Sequence, residues 1–415
     1  MALFFYICFM TLTAENILFI GSVLLFLSIL AGRAANRFGV PVLLLFLAVG
    51  MAFGSDGLGI EFSNPHTAQF IGNAALSIIL FSGGMDTKFR EIKPVLAQGI
   101  ILSTLGVLLT TVFTATIIYY ITAWLPNFDG LSVVESLLLA SIMSSTDSAS
   151  VFSILRSKKI HLKENLKPLL ELESGSNDPM AYMLTILFID ILVTGQSGAG
   201  DFIFKFLAQF AIGAVAGFLF AKVFIFFTNK INVGNNSSYH ILLLASMFFI
   251  QSGTGFIYGN GFLAVYITGL MIGNEKSVRN VSAGSFFDSV AWLSQLILFL
   301  TLGLFVDPVD LFSVAAVGLI IAFGMTFISR PFTVFLALLP FRKLSTKAKH
   351  YISWVGLKGA VPIVFATYPL IAGLENGLLM FNIVFFMTIV SLLFQGTSVF
   401  FMAKKLSLIS DGESD

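Results

Sequence analysis

The sequence predicts an all-α polytopic membrane protein with about 13 transmembrane helices, and three observations carry that prediction. First, the 415-residue chain is 57% hydrophobic and only 11% charged, with a mean hydropathy of +0.94. A soluble domain is about 25% charged, and no soluble fold of this length hides so much apolar surface. Second, the chain divides into thirteen apolar stretches, most long enough for the roughly 20 residues that a bilayer-spanning helix requires. Third, the loops between them alternate in charge. The 46 Phe residues suit lipid-facing and helix-packing surfaces.

The stretches follow in order. Residues 14–32 end before Arg33 and Arg37. The short second stretch, 40–54, precedes Asp56 and Glu61. Residues 66–84 run to Lys88, Arg90 and Lys93, and 94–122 to Asp129. Residues 133–154 precede Arg156, Lys158, Lys159, Lys163 and Lys167, whereas 168–194 precede Asp201. Residues 202–229 carry Lys222 near their end and meet Lys230. Residues 238–255 lead into 258–274, which is followed by Lys276 and Arg279. Residues 286–305 precede Asp307 and Asp310, and 311–339 precede Arg342, Lys343, Lys347 and Lys349. Residues 350–372 precede Glu375, and 377–403 end at Lys404 and Lys405. Several stretches exceed one bilayer thickness and are expected to tilt or bend.

Lys and Arg favour the cytoplasmic side of a membrane. Twenty of the 23 follow odd-numbered stretches, while the loops after even-numbered ones are acidic, with Lys205 their one base. One missed or extra span would scramble this alternation. It predicts an N-terminus outside, a C-terminus inside, one transmembrane domain over residues 1–405 and a short cytoplasmic tail over 406–415. The Ser, Gly and acidic residues of that tail read as disordered. Residues 1–13 lack a basic segment, which argues against a cleaved signal peptide.

Other function classes find little support. A net charge of +1 gives no basis for nucleic-acid binding. Cys8 is the one cysteine, and no Cys/His constellation suggests a metal or cofactor. The four His fall near stretch ends or in loops, and no Ser/His or metal-ligand pairing suggests an enzyme.

Charged side chains at membrane depth cost about 2.5–3.5 kcal/mol on insertion scales, and a chain retains them mainly where they bind or relay an ion or a proton. Three carboxylates stand out. Asp147 lies in Ser144-Ser-Thr-Asp-Ser-Ala-Ser150, and Glu173 and Asp178 lie in Leu172-Glu-Ser-Gly-Ser-Asn-Asp-Pro179. The fifth stretch is interrupted by its small polar run and the twelfth by Gly356-Leu-Lys-Gly-Ala-Val-Pro362. Gly and Pro interrupt a helix in lipid only where other groups satisfy the freed backbone, and transporters place such broken segments at matching positions of two repeats. The two are seven stretches apart, so they run in opposite directions. With the seventh as linker, the chain reads as two six-helix inverted repeats with crossed discontinuous helices. Asp147 then faces positive helix ends and Lys358 negative ones. Close helix packing is the plainer explanation of the Gly/Pro run.

Asp178, before Pro179, is the leading candidate for the transported-ion ligand. A carboxylate removed from water holds a proton more readily, because desolvation disfavours its charged form. Such a group binds a proton or an alkali cation but not both, which enforces exchange if access changes only when the site is neutral. Thr146 and Ser174 add neutral oxygens. Asp147 either binds the ion or only stabilises the crossing. Asn177 is a candidate to fix the crossing through Asp147, and its neutrality favours electroneutral exchange. Glu173, five residues before Asp178, points elsewhere on the helix and pairs on this reading with Arg330, a structural ion pair. Asp190 and Asp288 read as helix-end residues, and Glu171 as part of the cytoplasmic mouth.

These residues resemble the monovalent cation:proton antiporters, NhaP type. The resemblance covers nearly the whole chain. It rests on Leu80-Phe-Ser-Gly-Gly-Met85, Ser145-Thr-Asp147, Glu173-Ser-Gly-Ser-Asn-Asp-Pro179, Arg330-Pro331 and Trp354-Val-Gly-Leu-Lys-Gly-Ala-Val-Pro362. The last segment is most similar to the bacterial potassium/proton branch. The resemblance implies a 13-helix homodimer of the bacterial inner membrane, with a core that moves against a dimerisation domain in an elevator-like cycle. It implies that Asp178 carries the cation or proton beside Thr146, Asp147 and Ser174, that Asn177 bridges to Thr146 or Asp147, and that Glu173 pairs with Arg330. The family motif usually has Arg where Lys358 stands; Lys keeps the charge and loses the fork of donors. Ser82 stands where some sodium-selective relatives carry an acid. The expected function is electroneutral exchange of K⁺ for H⁺, with Na⁺/H⁺ exchange as the alternative within the class. A cation channel is the alternative outside it, although no Thr-Val-Gly-Tyr-Gly filter is present. An anion or organic-solute transporter on the same scaffold would place more positive charge at the crossing.

Overall fold

The computed structural model describes residues 14–38, 41–124, 130–157, 160–195, 198–230, 235–275 and 278–410. Residues 1–13 and 411–415, with the loop residues Asp129, Lys158, Lys159 and Lys276, lie outside the described residues. The described chain is helical: α1 (Ala14–Phe38), α2 (Val42–Phe53), α3 (Pro65–Asp86), α4 (Phe89–Trp124), α5 (Val133–Ile142), α6 (Ser148–Ser157), α7 (Leu166–Thr194), α8 (Ala199–Lys230), α9 (Asn236–Phe256), α10 (Gly261–Gly273), α11 (Val278–Phe305), α12 (Pro308–Ala337), α13 (Thr346–Trp354), α14 (Ala360–Ile371) and α15 (Gly377–Lys405). Seven of these are long and apolar enough to cross a membrane by length and composition alone. They are joined by shorter apolar helices that include α2, α5, α10 and α14.

Local chemistry sets many of the boundaries. Asn64 caps α3 by accepting from the N–H groups of His66 (2.9 Å) and Thr67 (3.2 Å), with Pro65 at the first helical position. Ser132 and Glu135 form a reciprocal capping box at the start of α5. Gly195 ends α7 in the left-handed region, at φ 68°.

Close helix contacts occur where side chains are absent. A β-carbon on Gly269 of α10 would fall 2.5 Å from the Phe81 carbonyl oxygen of α3, and one on Gly84 2.6 Å from the Tyr266 carbonyl oxygen. Small residues let backbones approach where lipid supplies no hydrophobic drive to association. Three helices contain a five-residue π-helical bulge: Leu102–Gly106 in α4, Met325–Ser329 in α12 and Leu392–Gly396 in α15. Such bulges often sit at functional sites, and that of α12 ends directly before Arg330.

Buried apolar side chains form one large cluster between the helices and a second, smaller one. The second gathers α6, the first turns of α7, the end of α12, α13 and the end of α15 around the fully buried Tyr351. It also corrects one expectation. Residues 406–410 of the tail are ordered: Leu408 is 2% exposed within this cluster. Its carbonyl accepts the Lys163 N–H (2.9 Å), and the Ser410 N–H donates to the His161 carbonyl (2.9 Å), an isolated antiparallel bridge pairing Leu162 with Ile409. The polar composition of the segment's far end hides an apolar alternation, Leu406, Leu408 and a half-buried Ile409, that gives it a surface to bury.

Candidate ion-binding site

The site is built where α5–α6 and α13–α14 are each interrupted. In the first, hydroxyls compete with the helix for its carbonyls. Ser141 Oγ donates to the Leu138 carbonyl (2.7 Å) and Ser144 Oγ to the Ser141 carbonyl (2.6 Å). The helix stops at Ile142, and residues 143–147 lead to a new start at Ser148. Asp147 caps that start: Oδ1 accepts the Ser150 N–H at 3.1 Å and Oδ2 the Ser150 hydroxyl. In the second interruption Gly356 and Gly359 replace side chains where none would fit. A β-carbon on Gly359 would meet Asp147 Oδ2 at 2.3 Å, and one on Gly356 would meet Arg330 Nε at 2.9 Å.

The two interruptions bond to each other. The Asp147 N–H donates to the Leu357 carbonyl (2.8 Å), and Lys358 Nζ donates to the Ser145 carbonyl (2.8 Å). Asp147 therefore meets the N-terminal end of a half-helix, while the Lys358 ammonium serves a carbonyl shed just beyond the end of α5, the signs that helix dipoles favour. Lys358 is held in turn by a chain that sequence reasoning missed. Its N–H donates to Ser391 Oγ (2.9 Å), Ser391 donates to Gln395 Oε1 (2.6 Å), and Gln395 Nε2 donates to the Trp354 carbonyl (2.9 Å).

α7 crosses beside the first interruption and presents three polar side chains to it. Asp178 Oδ1 accepts the Ser145 hydroxyl in a short hydrogen bond. Asn177 Nδ2 donates to Thr146 Oγ1 (2.6 Å), and its Oδ1 accepts the Thr146 N–H (3.4 Å). Ser174 Oγ donates to the Thr146 carbonyl (2.6 Å) and accepts the Ser148 N–H (3.1 Å). The Asn177 amide thus bridges to Thr146; the expected link to Asp147 is corrected, because both oxygens of Asp147 serve Ser150 and its N–H serves Leu357. Ser145 was not singled out in the sequence, although the Ser-Ser-Thr-Asp run contains it. Pro179 lacks the N–H that would bond the Gly175 carbonyl, so α7 frees one backbone acceptor at this level. Asn260, the N-cap of α10, donates to the Pro179 carbonyl (2.7 Å) and ties α10 to the same turn.

Asp178, Thr146 and Ser174 are each under 10% exposed, and Asp147 is half-buried. All four line a cavity of about 160 Å³. It extends from Asp86, Thr87 and Glu171 at one end of α3 and α7 down to Asp178. Its lining brings the carboxylates of Asp147 and Asp178 together with the hydroxyls of Thr146 and Ser174, oxygen donors that suit a hard cation. Glu173 lies outside this cavity. It is 1% exposed and forms an ion pair with Arg330 Nη2. Asp288 meets Ser82 (3.5 Å), and Asp190 joins Asp201 around Lys205 at 2.8 and 2.9 Å.

The chain is similar to several known proteins. Residues 22–405 match the family described as sodium/hydrogen exchanger, transmembrane. The chain is 41% identical over 400 residues to the K(+)/H(+) antiporter NhaP of Alkalimonas amylolytica, covering 96% of this chain and 68% of that protein. It is 40% identical over 383 residues to the K(+)/H(+) antiporter NhaP2 of Shewanella sp. (strain MR-4), covering 92% and 65%. The chain thus spans about two thirds of the length of these relatives. Its fold is similar to that of the sodium proton antiporter MjNhaP1 from Methanocaldococcus jannaschii at pH 8, with a TM-score of 0.81 at 23% identity over 94% of this chain and 99% of that one.

Proposed function

Because this chain belongs to the sodium/hydrogen exchanger transmembrane family, we propose that it exchanges a monovalent cation, K⁺ in preference to Na⁺, for H⁺. The single observation that supports this most is Asp178: a carboxylate lining the cavity, flanked by Ser145, Thr146 and Ser174 oxygens and by a second carboxylate at Asp147. The potassium preference draws on the names of the relatives at 40–41% identity.

The mechanism follows from charge. A desolvated carboxylate stabilises one positive partner, so a proton and a cation exclude one another at Asp178. Thr146, Ser174 and Asp147 supply further oxygens to the cation. Asn177 holds Thr146 in place and brings no charge of its own, which favours electroneutral exchange. Lys358 and Asp147 balance the opposed half-helix ends, so the crossing holds together while the carried charge comes and goes. Glu173 and Arg330 brace α7 against α12.

Around this site we place thirteen spans in two six-span repeats of inverted topology, with α8 as linker and the broken α5–α6 and α13–α14 in matching positions. The N-terminus is outside and the C-terminus cytoplasmic, in the inner membrane of a bacterium. The chain works as a homodimer whose core shifts against the dimerisation helices. Proteoliposomes loaded in turn with K⁺, Na⁺ and Li⁺ at fixed pH test the activity. Proton flux driven most strongly by K⁺ supports the proposal. A stronger Na⁺ response moves the substrate to sodium, and cation conduction without proton counter-flow makes the protein a channel.

A further inference from the structure

The cavity that Asp178 lines also takes in Glu171, two turns earlier on α7, and Asp86 and Thr87 at the end of α3. Along α7 in the other direction Tyr182 comes one helical turn after Asp178. Its ring meets Phe262 of α10 edge-on at 4.9 Å, Tyr368 of α14 at 5.7 Å and Phe365 of α14 at 5.8 Å. Phe262 and Phe365 are fully buried. Four rings from three helices therefore fill the space beyond the carboxylate, and a hydrated cation does not pass through packed rings. A directional bond also closes the layer: Tyr368 Oη donates to Asn73 Oδ1 of α3 at 3.0 Å. Beside Asn73, α3 and α14 touch with nothing between them, because a β-carbon on Gly72 would come 2.8 Å from both methyl groups of Val364.

Resting on the exchange reading above, we propose that Tyr368, latched to Asn73, is the gate on the far side of the Asp178 site, and that this latch opens once in every transport cycle. α3 carries the cavity mouth at one end, through Asp86 and Thr87, and Asn73 about 20 Å away towards the other. α14 begins at the crossing itself, directly after Gly359. A movement of the crossing relative to α3 acts at once on this contact. Access from the far face requires the seam at Gly72 and Val364 to part, the Tyr368–Asn73 bond to break and the Tyr182 ring to leave its three neighbours. The rings supply the barrier to water and ions, and the Tyr368–Asn73 hydrogen bond biases the balance between the two access states.

The seam offers a direct lock. An ideal β-carbon on Gly72 lies 3.4 Å from Val364 Cβ, close to the roughly 3.5–4.5 Å that a disulfide spans. A Gly72→Cys/Val364→Cys protein, in a Cys8→Ser background, is reconstituted and assayed for K⁺/H⁺ exchange after oxidation and again after reduction. Exchange is expected to fall to that of protein-free vesicles on oxidation and to return on reduction, with either single variant indifferent to the oxidant. A fully cross-linked protein that still exchanges at its reduced rate overturns the gate. If the reduced double variant does not fold, Tyr368→Phe decides. It keeps the ring and loses the bond, so the balance shifts about fivefold towards far-side access. The apparent KM then falls for cation offered at the far face and rises at the mouth face. An equal change at both faces, or none, makes Tyr368 a packing residue and overturns the proposal. Absence of exchange in the wild-type protein would instead remove the exchange reading itself.

Discussion

Gly359 and Asp147 share one space: a β-carbon on the glycine would lie 2.3 Å from Oδ2 of the aspartate. The two interrupted helices thus cross at a point where one segment contributes a carboxylate and the other contributes no side chain. Gly359→Ala is expected to push Asp147 off its cap on α6, at a cost of about 1–3 kcal/mol for overpacking, and to remove most of the exchange activity. Gly21→Ala, at a glycine with nothing within 4 Å, serves as the control and should leave both thermal stability and flux unchanged.

The buried pair of Glu173 and Arg330 makes a claim about stability. Glu173→Gln leaves a 5%-exposed guanidinium without its counter-charge, which costs roughly 3–5 kcal/mol. Thermal unfolding in detergent should show a large loss for Glu173→Gln and for Arg330→Gln, and a smaller one for the double variant, in which no lone charge is buried. Additive losses would mean that the two side chains do not act as a pair.

Leu408 ties the tail to the half-helices α6 and α13 through the second apolar cluster. Leu408→Ala is expected to destabilise the protein by about 2–5 kcal/mol, the usual cost of emptying a buried leucine site. An unchanged melting temperature would show that residues 406–410 lie loosely on the surface.

On the proposed exchange, competition at Asp178 fixes the sign of a pH effect. At low pH the site holds a proton, so more cation is needed to displace it. Raising the cation concentration should therefore move the acidic limb of the pH–activity profile to lower pH, by up to about one pH unit per tenfold increase. A profile that stays in place as cation rises would separate the proton site from the cation site.

Much of the site is legible in the sequence because its chemistry is expensive in lipid. Glu173, Asp178 and Arg330 lie inside apolar stretches, and the Ser144–Ser150 and Gly356–Pro362 runs advertise broken helices through residues that hold helices poorly. What the sequence hides depends on tertiary geometry. In an extended segment between two half-helices, no periodicity says which way a serine points, so Ser145 was indistinguishable from its neighbours as a partner for Asp178. The π-bulges in α4, α12 and α15 leave no residue signature, since one wide turn is a response to packing. Tyr368 and Asn73 are nearly 300 residues apart and each reads as an ordinary polar residue within a span; only the fold brings them to 3.0 Å.

If one carboxylate carries both ions, Asp178→Asn removes exchange altogether. The asparagine keeps the side chain's shape and removes the charge for which cation and proton compete. In proteoliposomes of protein with wild-type thermal stability, K⁺-, Na⁺- and Li⁺-driven proton flux should all fall to the background of empty vesicles. Flux at the wild-type rate with any of the three cations would contradict the assignment.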